Sequence, residues 1–162
     1  MTQQNRFQDE NLTLTHFYQE VWVVCTNCEK KAIAKVVFEN KIARLFCVHC
    51  GYNKETTTAL IKNGSIKTAA NQYFNVELWL KASFKKDVFW AFNAEHLEYL
   101  ERYISAILRE HKARTGFTLL EKLPRFYHEA KNRKDLLKII TKLSPVRQLF
   151  FLTDRKFDIF GT

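Results

Sequence analysis

Glycine and proline are scarce in this chain, at four and two among 162 residues. That supply excludes collagen-like, linker-rich and low-complexity architectures, each of which needs such residues at short intervals. It also leaves no Gly-rich loop able to cradle a phosphate. Long apolar runs are missing too, and nothing approaches the roughly 20 residues that cross a bilayer as a helix. The opening stretch, Met1 to Arg6, has no basic segment followed by an apolar one. No secretory signal is therefore expected, and the cytoplasm is the expected compartment. Metal-binding histidine pairs, a Ser-His-Asp set and a Cys-His set are absent as recognisable motifs, so no catalytic residue is assigned and a non-enzymatic role is expected. His96-Leu97-Glu98 matches the H-x-E of zinc deaminases, but no P-C-x-x-C follows it, and it reads as first-turn helix sequence.

What is present is a folded composition, 46% apolar, and four cysteines with an unusual distribution. They fall as two C-x2-C pairs, Cys25-Thr26-Asn27-Cys28 and Cys47-Val48-His49-Cys50, with 18 residues between them. Each pair can present two thiolates from one tight turn to the same tetrahedral ion, and reduced thiols in a cytoplasmic chain favour ligation over disulfides. The spacing predicts one zinc ion held by Cys25, Cys28, Cys47 and Cys50. Four thiolates close the tetrahedron and leave no open position to activate water, so the ion is expected to be structural. His49 stays outside the set, because Cys50 already completes its pair. Gly51 supplies the left-handed backbone that a metal knuckle needs, whereas the matching position of the first pair is Glu29.

The patterning predicts an α+β chain: an N-terminal three-stranded zinc ribbon followed by a β-hairpin packed with about three helices. Residues 1–17 are polar and read as an N-terminal arm. The ribbon is expected over 18–62. Within it, Lys31 to Phe38 alternates as a strand, Glu39-Asn40 turns the chain, Lys41 to Phe46 returns, and Thr56 to Ile61 adds a third strand. A hairpin and helical domain follows over 74–144. Its strands are Asn75–Phe84 and Val88–Phe92, joined at Lys85-Lys86-Asp87. Asn93 is expected to cap a helix running to about Arg114, with Gly116 as its stop, and Glu98 with Arg102 falls at favourable i,i+4 spacing. Thr118 with Glu121 matches a capping box, and Asn132 is placed to cap a last helix that Ser144-Pro145 ends. Residues 145–162 form an apolar C-terminal tail.

The four cysteines and their intervening hairpin resemble the zinc-ribbon group of transcription factors, polymerase subunits, topoisomerases and ribosomal proteins, over about a quarter to a third of the chain. The resemblance implies structural ligands and surfaces that bind nucleic acid or protein. Transcript-cleavage ribbons of that group carry an Asp-Glu pair at the hairpin tip, whereas this tip is Phe38-Glu39-Asn40-Lys41. Their activity is therefore not implied. The string from His96 to Glu110, with Leu123-Pro124-Arg125-Phe126 and Ala130-Lys131-Asn132-Arg133, resembles small uncharacterised bacterial zinc-ribbon proteins and brings no activity with it.

The formal charge is +9. A four-thiolate zinc core lowers it to about +7, which still favours an anionic partner, nucleic acid above all. The core offsets most of the ribbon's own charge, and this moves the expected binding surface toward the C-terminal half. Lys134, Lys138 and Lys142 form a row at i,i+4 spacing, with Arg125, Lys131 and Arg133 upstream. An amphipathic helix often shows such a row to solvent without a ligand, but a nucleic-acid backbone would relieve the repulsion along it. Trp79 sits on the polar face of its predicted strand, where it either stacks on an unpaired base or lies beneath a helix. The expected function is a zinc-binding, non-enzymatic nucleic-acid-binding module for RNA or DNA. The alternative is a protein–protein adaptor docking through the ribbon or through an exposed Leu149-Phe150-Phe151 patch in the tail.

Overall fold

The structure, a computed structural model, describes residues 5–59, 70–110 and 118–144. The fold is mixed α+β. Residues 145–162, the distal part of the expected third strand and Gly116 lie outside the described residues.

Four strands form one antiparallel sheet in sequence order: β2 (Glu20–Val24), β3 (Lys31–Val37), β4 (Ile42–Phe46) and β5 (Asn53–Thr57). Three were expected. Glu20–Val24, in the β-prone stretch from His16 to Val24 that leads into the first cysteine pair, supplies the additional one, with Val21 opposite Ala34 and Val23 opposite Ala32. The last strand begins earlier than the β-branched run suggested, because Asn53 pairs with Phe46 as soon as the second cysteine turn closes. Along β3 every second side chain is buried, and Ala32, Ala34 and Val36 face the core with Ala43 and Leu45 of β4. These are small side chains, so this end of the core is thin.

The second hairpin comprises β6 (Leu80–Phe84) and β7 (Asp87–Ala91). Asn75–Trp79 alternates like a strand but does not pair within that hairpin; Glu77 to Trp79 instead lies along the free edge of β2. There the Val24 N–H donates to the Glu77 carbonyl at 2.9 Å, and the Trp79 N–H donates to the Trp22 carbonyl at 2.9 Å. The Trp22 N–H reaches the Phe92 carbonyl at 2.7 Å, which ties the two hairpins together. One buried cluster accordingly runs from Val21, Val23 and Leu45 through Leu78 and Phe89 to Leu100, Tyr127 and Ile140.

A helix, which we number α2, spans Ala94–Ser105, and α1 is the single turn Leu14–Phe17. Asn93 caps α2 as expected, its Oδ1 accepting from the His96 N–H at 2.9 Å. Its Nδ2 also donates to the Glu20 carbonyl at 2.7 Å, so the cap fixes the helix against β2. The helix is shorter than its apolar spacing predicts. After Ser105 the chain extends into β8 (Leu108–Glu110), which pairs in parallel with β1 (Arg6–Gln8). Ile107, placed on the helix by periodicity, is 60% exposed.

Residues 5–17, read from sequence as an arm, pack on this helix. Phe7 is buried edge-on against Tyr99 and Tyr103, and Phe17 stacks on His96 at 4.7 Å. Asp9 is fully buried and accepts from the Tyr99 hydroxyl at 3.0 Å and the Thr118 hydroxyl at 3.3 Å. The capping box at Thr118 is thus half formed: its N–H donates to the Glu121 carboxylate at 3.0 Å while its hydroxyl turns to Asp9. Arg102 pairs with Glu10 at 2.7 Å.

Three short 3-10 turns, Leu120–Lys122, Arg125–Tyr127 and Ala130–Asn132, follow Thr118 in place of the helix that its capping box implies. Helix α3, Arg133–Leu143, then packs Leu136 and Ile140 into the core. Asn132 precedes it but forms no side-chain cap. Its Nδ2 donates to the Phe126 carbonyl at 3.1 Å and to Glu129 at 2.9 Å.

Candidate metal centre

The two cysteine turns are near copies of each other. In the first, the Glu29 N–H donates to the Cys25 carbonyl at 2.9 Å and the Cys25 N–H to the Lys30 carbonyl at 2.8 Å. In the second, the Gly51 N–H donates to the Cys47 carbonyl at 2.9 Å and the Cys47 N–H to the Tyr52 carbonyl at 2.9 Å. Both turns need a left-handed residue at the same place, and Gly51 takes φ 74° while Glu29 takes φ 60°. The missing glycine in the first turn does not change its geometry; a glutamate bears the strain instead.

Strands β3 and β4 bring the turns together because each pair stands at a strand end: Cys25 follows β2, and Cys47 follows β4 beside β3. The four Sγ atoms lie within 4.8 Å of one another. Across the two turns, Cys25 to Cys50 and Cys28 to Cys47 are both at 3.6 Å. A tetrahedron with metal–sulfur bonds of about 2.3 Å places its sulfurs about 3.8 Å apart. The separations exclude disulfide bonding and fit a single tetrahedral ion. Four close cysteines here can hold a metal ion. His49 is exposed and lies outside the cluster.

The electrostatics of the turns point the same way. The Cys50 thiol is pulled down to about 6, first by the Asn27 side chain and then by the Tyr52 backbone. Cys28 moves oppositely, to about 12: the Lys30 backbone favours its thiolate, but burial and the three neighbouring sulfurs outweigh that. Hydrogen bonding within the cluster thus favours the thiolate at Cys50 and the thiol at Cys28, where burial adds to the resistance. A divalent cation removes that resistance, because it stabilises each thiolate it binds.

Replacing Gly51 by alanine probes backbone strain alone, since a Cβ there would meet no atom within 4 Å. We expect Gly51→Ala to keep its metal and lose about 1 kcal/mol of stability, the cost of a left-handed non-glycine residue. Urea titration with parallel metal analysis checks this; loss of the metal would show that the turn does more than bend.

The residues singled out for nucleic acid are not equivalent. Lys134, Lys138 and Lys142 are exposed on α3, with Lys138 placed 3.5 Å from Asp135. Trp79 is 37% exposed, and its backbone N–H pairs with the Trp22 carbonyl at the sheet edge. Arg133 differs from these: its Nε donates to the Ile104 carbonyl at 3.0 Å and its guanidinium to the Ala106 carbonyl at 2.9 Å. It closes the C-terminal end of α2, where a cation meets unpaired carbonyls. Arg125 and Lys131 converge on Glu129, at 3.2 and 3.5 Å. Lys85 and Lys86, read from sequence only as a turn, join Arg125 and Lys131 around one depression. Their spacing in the chain gave no sign of this grouping.

The chain matches no protein-family model, no curated protein and no solved structure. The resemblance to zinc ribbons therefore rests on the cysteine cluster alone. Among the described residues no helix is long and apolar enough to cross a membrane.

Proposed function

We propose that this protein is a zinc-binding, non-enzymatic nucleic-acid-binding module in which zinc is structural. Zinc is the ion that a closed set of four thiolates at these separations suits best, and such a site has no open position for chemistry. The four-stranded sheet is then a zinc ribbon with an additional strand. The observation that carries the nucleic-acid reading is the exposed lysine row on α3. Lys134, Lys138 and Lys142 all face solvent on a helix whose opposite side is anchored by Leu136 and Ile140. Three like charges in a row repel one another by a few tenths of a kcal/mol per pair, and a phosphate backbone reverses that sign.

A salt titration of binding to single-stranded RNA and DNA tests this. Changing Lys134, Lys138 and Lys142 together to alanine is expected to weaken binding and to reduce the slope of log K against log salt by about 2, at about 0.7 per phosphate contact. An unchanged slope would remove this row from the interface.

The adaptor reading is favoured by a different observation. Val37, Phe38 and Ile42 are 44%, 41% and 40% exposed at the end of the first hairpin. Val37 and Ile42 line a concavity of about 650 Å³ together with Lys35, Arg44 and Phe46. A stable protein partner recovered through this face, together with no salt-dependent nucleic-acid binding, would favour it.

A further inference from the structure

The second hairpin ends in a two-residue turn, Lys85-Lys86, closed by the Phe84–Asp87 pair. Such turns favour glycine or asparagine where φ is positive, because a Cβ there costs roughly 1 kcal/mol or more. Lys85 takes that conformation, with φ 53°. Its Nζ donates to Oδ1 of the buried Asn132 at 2.7 Å and stands 5.1 Å from the Phe84 ring centroid. Asn132 in turn holds Phe126 and Glu129. The hairpin tip is thereby fixed against the 3-10 turns, and between them lies a depression of about 660 Å³.

Charge gathers in it from separate parts of the chain. Lys85 and Lys86 come from the hairpin, Arg125 and Lys131 from the 3-10 turns, and only Asp87 and Glu129 oppose them. Glu129 is the informative one, since its carboxylate accepts from Asn132 Nδ2 and draws in both Arg125 and Lys131. Convergent donors around one anion, including a guanidinium, are what a phosphate group requires. The Arg125 and Lys131 side chains are 91% and 72% exposed, so neither is held by packing and both are able to turn to another anion. Lys86 is exposed and makes no ion pair among the described residues.

We propose that this depression is a binding site for phosphate groups carried on a nucleic-acid strand, with Glu129 as the internal anion that the phosphate displaces. The proposal rests on the nucleic-acid reading above and adds a place and a mechanism to it. In the free protein Glu129 occupies Arg125 and Lys131. An incoming phosphate takes over those cations and adds Lys86, and the cost of binding is the release of one carboxylate to water. Removing the internal competitor should therefore tighten binding, the reverse of what most changes inside a binding site do.

The test uses the full chain with zinc, a fluorescein-labelled single strand of about 20 nucleotides, and inorganic triphosphate as competitor. Glu129→Gln keeps an oxygen for Asn132 Nδ2 and deletes the charge. We expect it to bind the strand several-fold more tightly than wild type. Lys86→Ala with Arg125→Ala should bind about tenfold more weakly, with the salt slope reduced by about 1.4 for two lost contacts. Both substitutions sit on exposed side chains, so folding is preserved and is checked by circular dichroism. Strand binding that Glu129→Gln leaves equal or weaker, and that the double variant leaves unchanged, would overturn the site while the nucleic-acid reading stands. Triphosphate binding tightened by Glu129→Gln with no strand binding would leave a free-polyphosphate site and overturn both the strand and that reading. Binding of neither probe overturns both.

Discussion

Replacing Cys47 by serine is expected to abolish high-affinity metal binding and unfold the four-stranded sheet, with an effect on the order of 10 kcal/mol, the scale on which structural zinc contributes to folding. Cys47 is buried, follows β4 directly and stands 3.6 Å from Cys28 in the opposite turn. The apolar side of this sheet is built largely from Ala32, Ala34, Ala43, Val21 and Val23, which bury little area each. Strand β5, with the sequence Asn-Lys-Glu-Thr-Thr, is almost wholly exposed and contributes almost nothing to the core. Without the ion, β5 is held among the described residues by its hydrogen bonds to β4 and the ion pair between Arg44 and Glu55, and exposed pairs stabilise weakly. Hydrogen exchange should show protection lost from β4 and β5 and retained in α2 and α3, whose buried Leu100, Ile104, Leu136 and Ile140 stand on helices outside the sheet that carries the cysteines. A Cys47→Ser protein with full metal content and unchanged stability would sink the assignment.

Acid should destabilise the fold through His96, independently of the metal. This imidazole is fully buried among Phe17, Trp90 and Phe92, with Nδ1 accepting from the Phe92 N–H at 3.2 Å and Nε2 without a partner among the described residues. Burial drops its pKa to about 3, because the charged form has no water and no counter-charge there. An unfolded histidine titrates near 6.5, so between these values the unfolded chain binds a proton that the folded one refuses. Stability from this residue is therefore complete above about pH 6.5 and declines as pH falls toward 3. The slope is about 1.4 kcal/mol per pH unit, and the loss reaches several kcal/mol. His96→Asn keeps an acceptor for the Phe92 N–H and removes the titration. Its chemical stability, measured in excess zinc, should be lower at pH 7 through lost packing, yet flatter between pH 6.5 and 4. Parallel pH profiles for the two proteins would show that His96 is not responsible.

Local pattern carried the sequence reading where local forces decide the structure. The C-x2-C turns, the alternation from Lys31 to Val37 and the Asn93 cap are each set by neighbours in the chain, and each is found where expected. Long-range partners account for the differences. Ala106, Ile107 and Leu108 continue a helical apolar spacing, but pairing of Leu108–Glu110 with Arg6–Gln8 takes that backbone into a strand. Arg133 reads as one more surface cation and is instead occupied by the carbonyls of Ile104 and Ala106. Asn132 fits the pattern of a helix cap, yet its side chain joins Lys85, Phe126 and Glu129 across 47 residues of chain at the farthest. The cysteine cluster was legible because all four thiols lie in two tight turns. The basic depression was not, since it is assembled from a hairpin tip and turns that only the fold brings together.

X-ray absorption at the zinc edge of the protein purified without added metal bears most directly on the central claim. One zinc per chain, surrounded by four sulfurs at about 2.3 Å and no nitrogen or oxygen, is the predicted result. A chain without zinc, or a zinc whose shell includes a histidine nitrogen or a water oxygen, would contradict a closed structural site formed by Cys25, Cys28, Cys47 and Cys50.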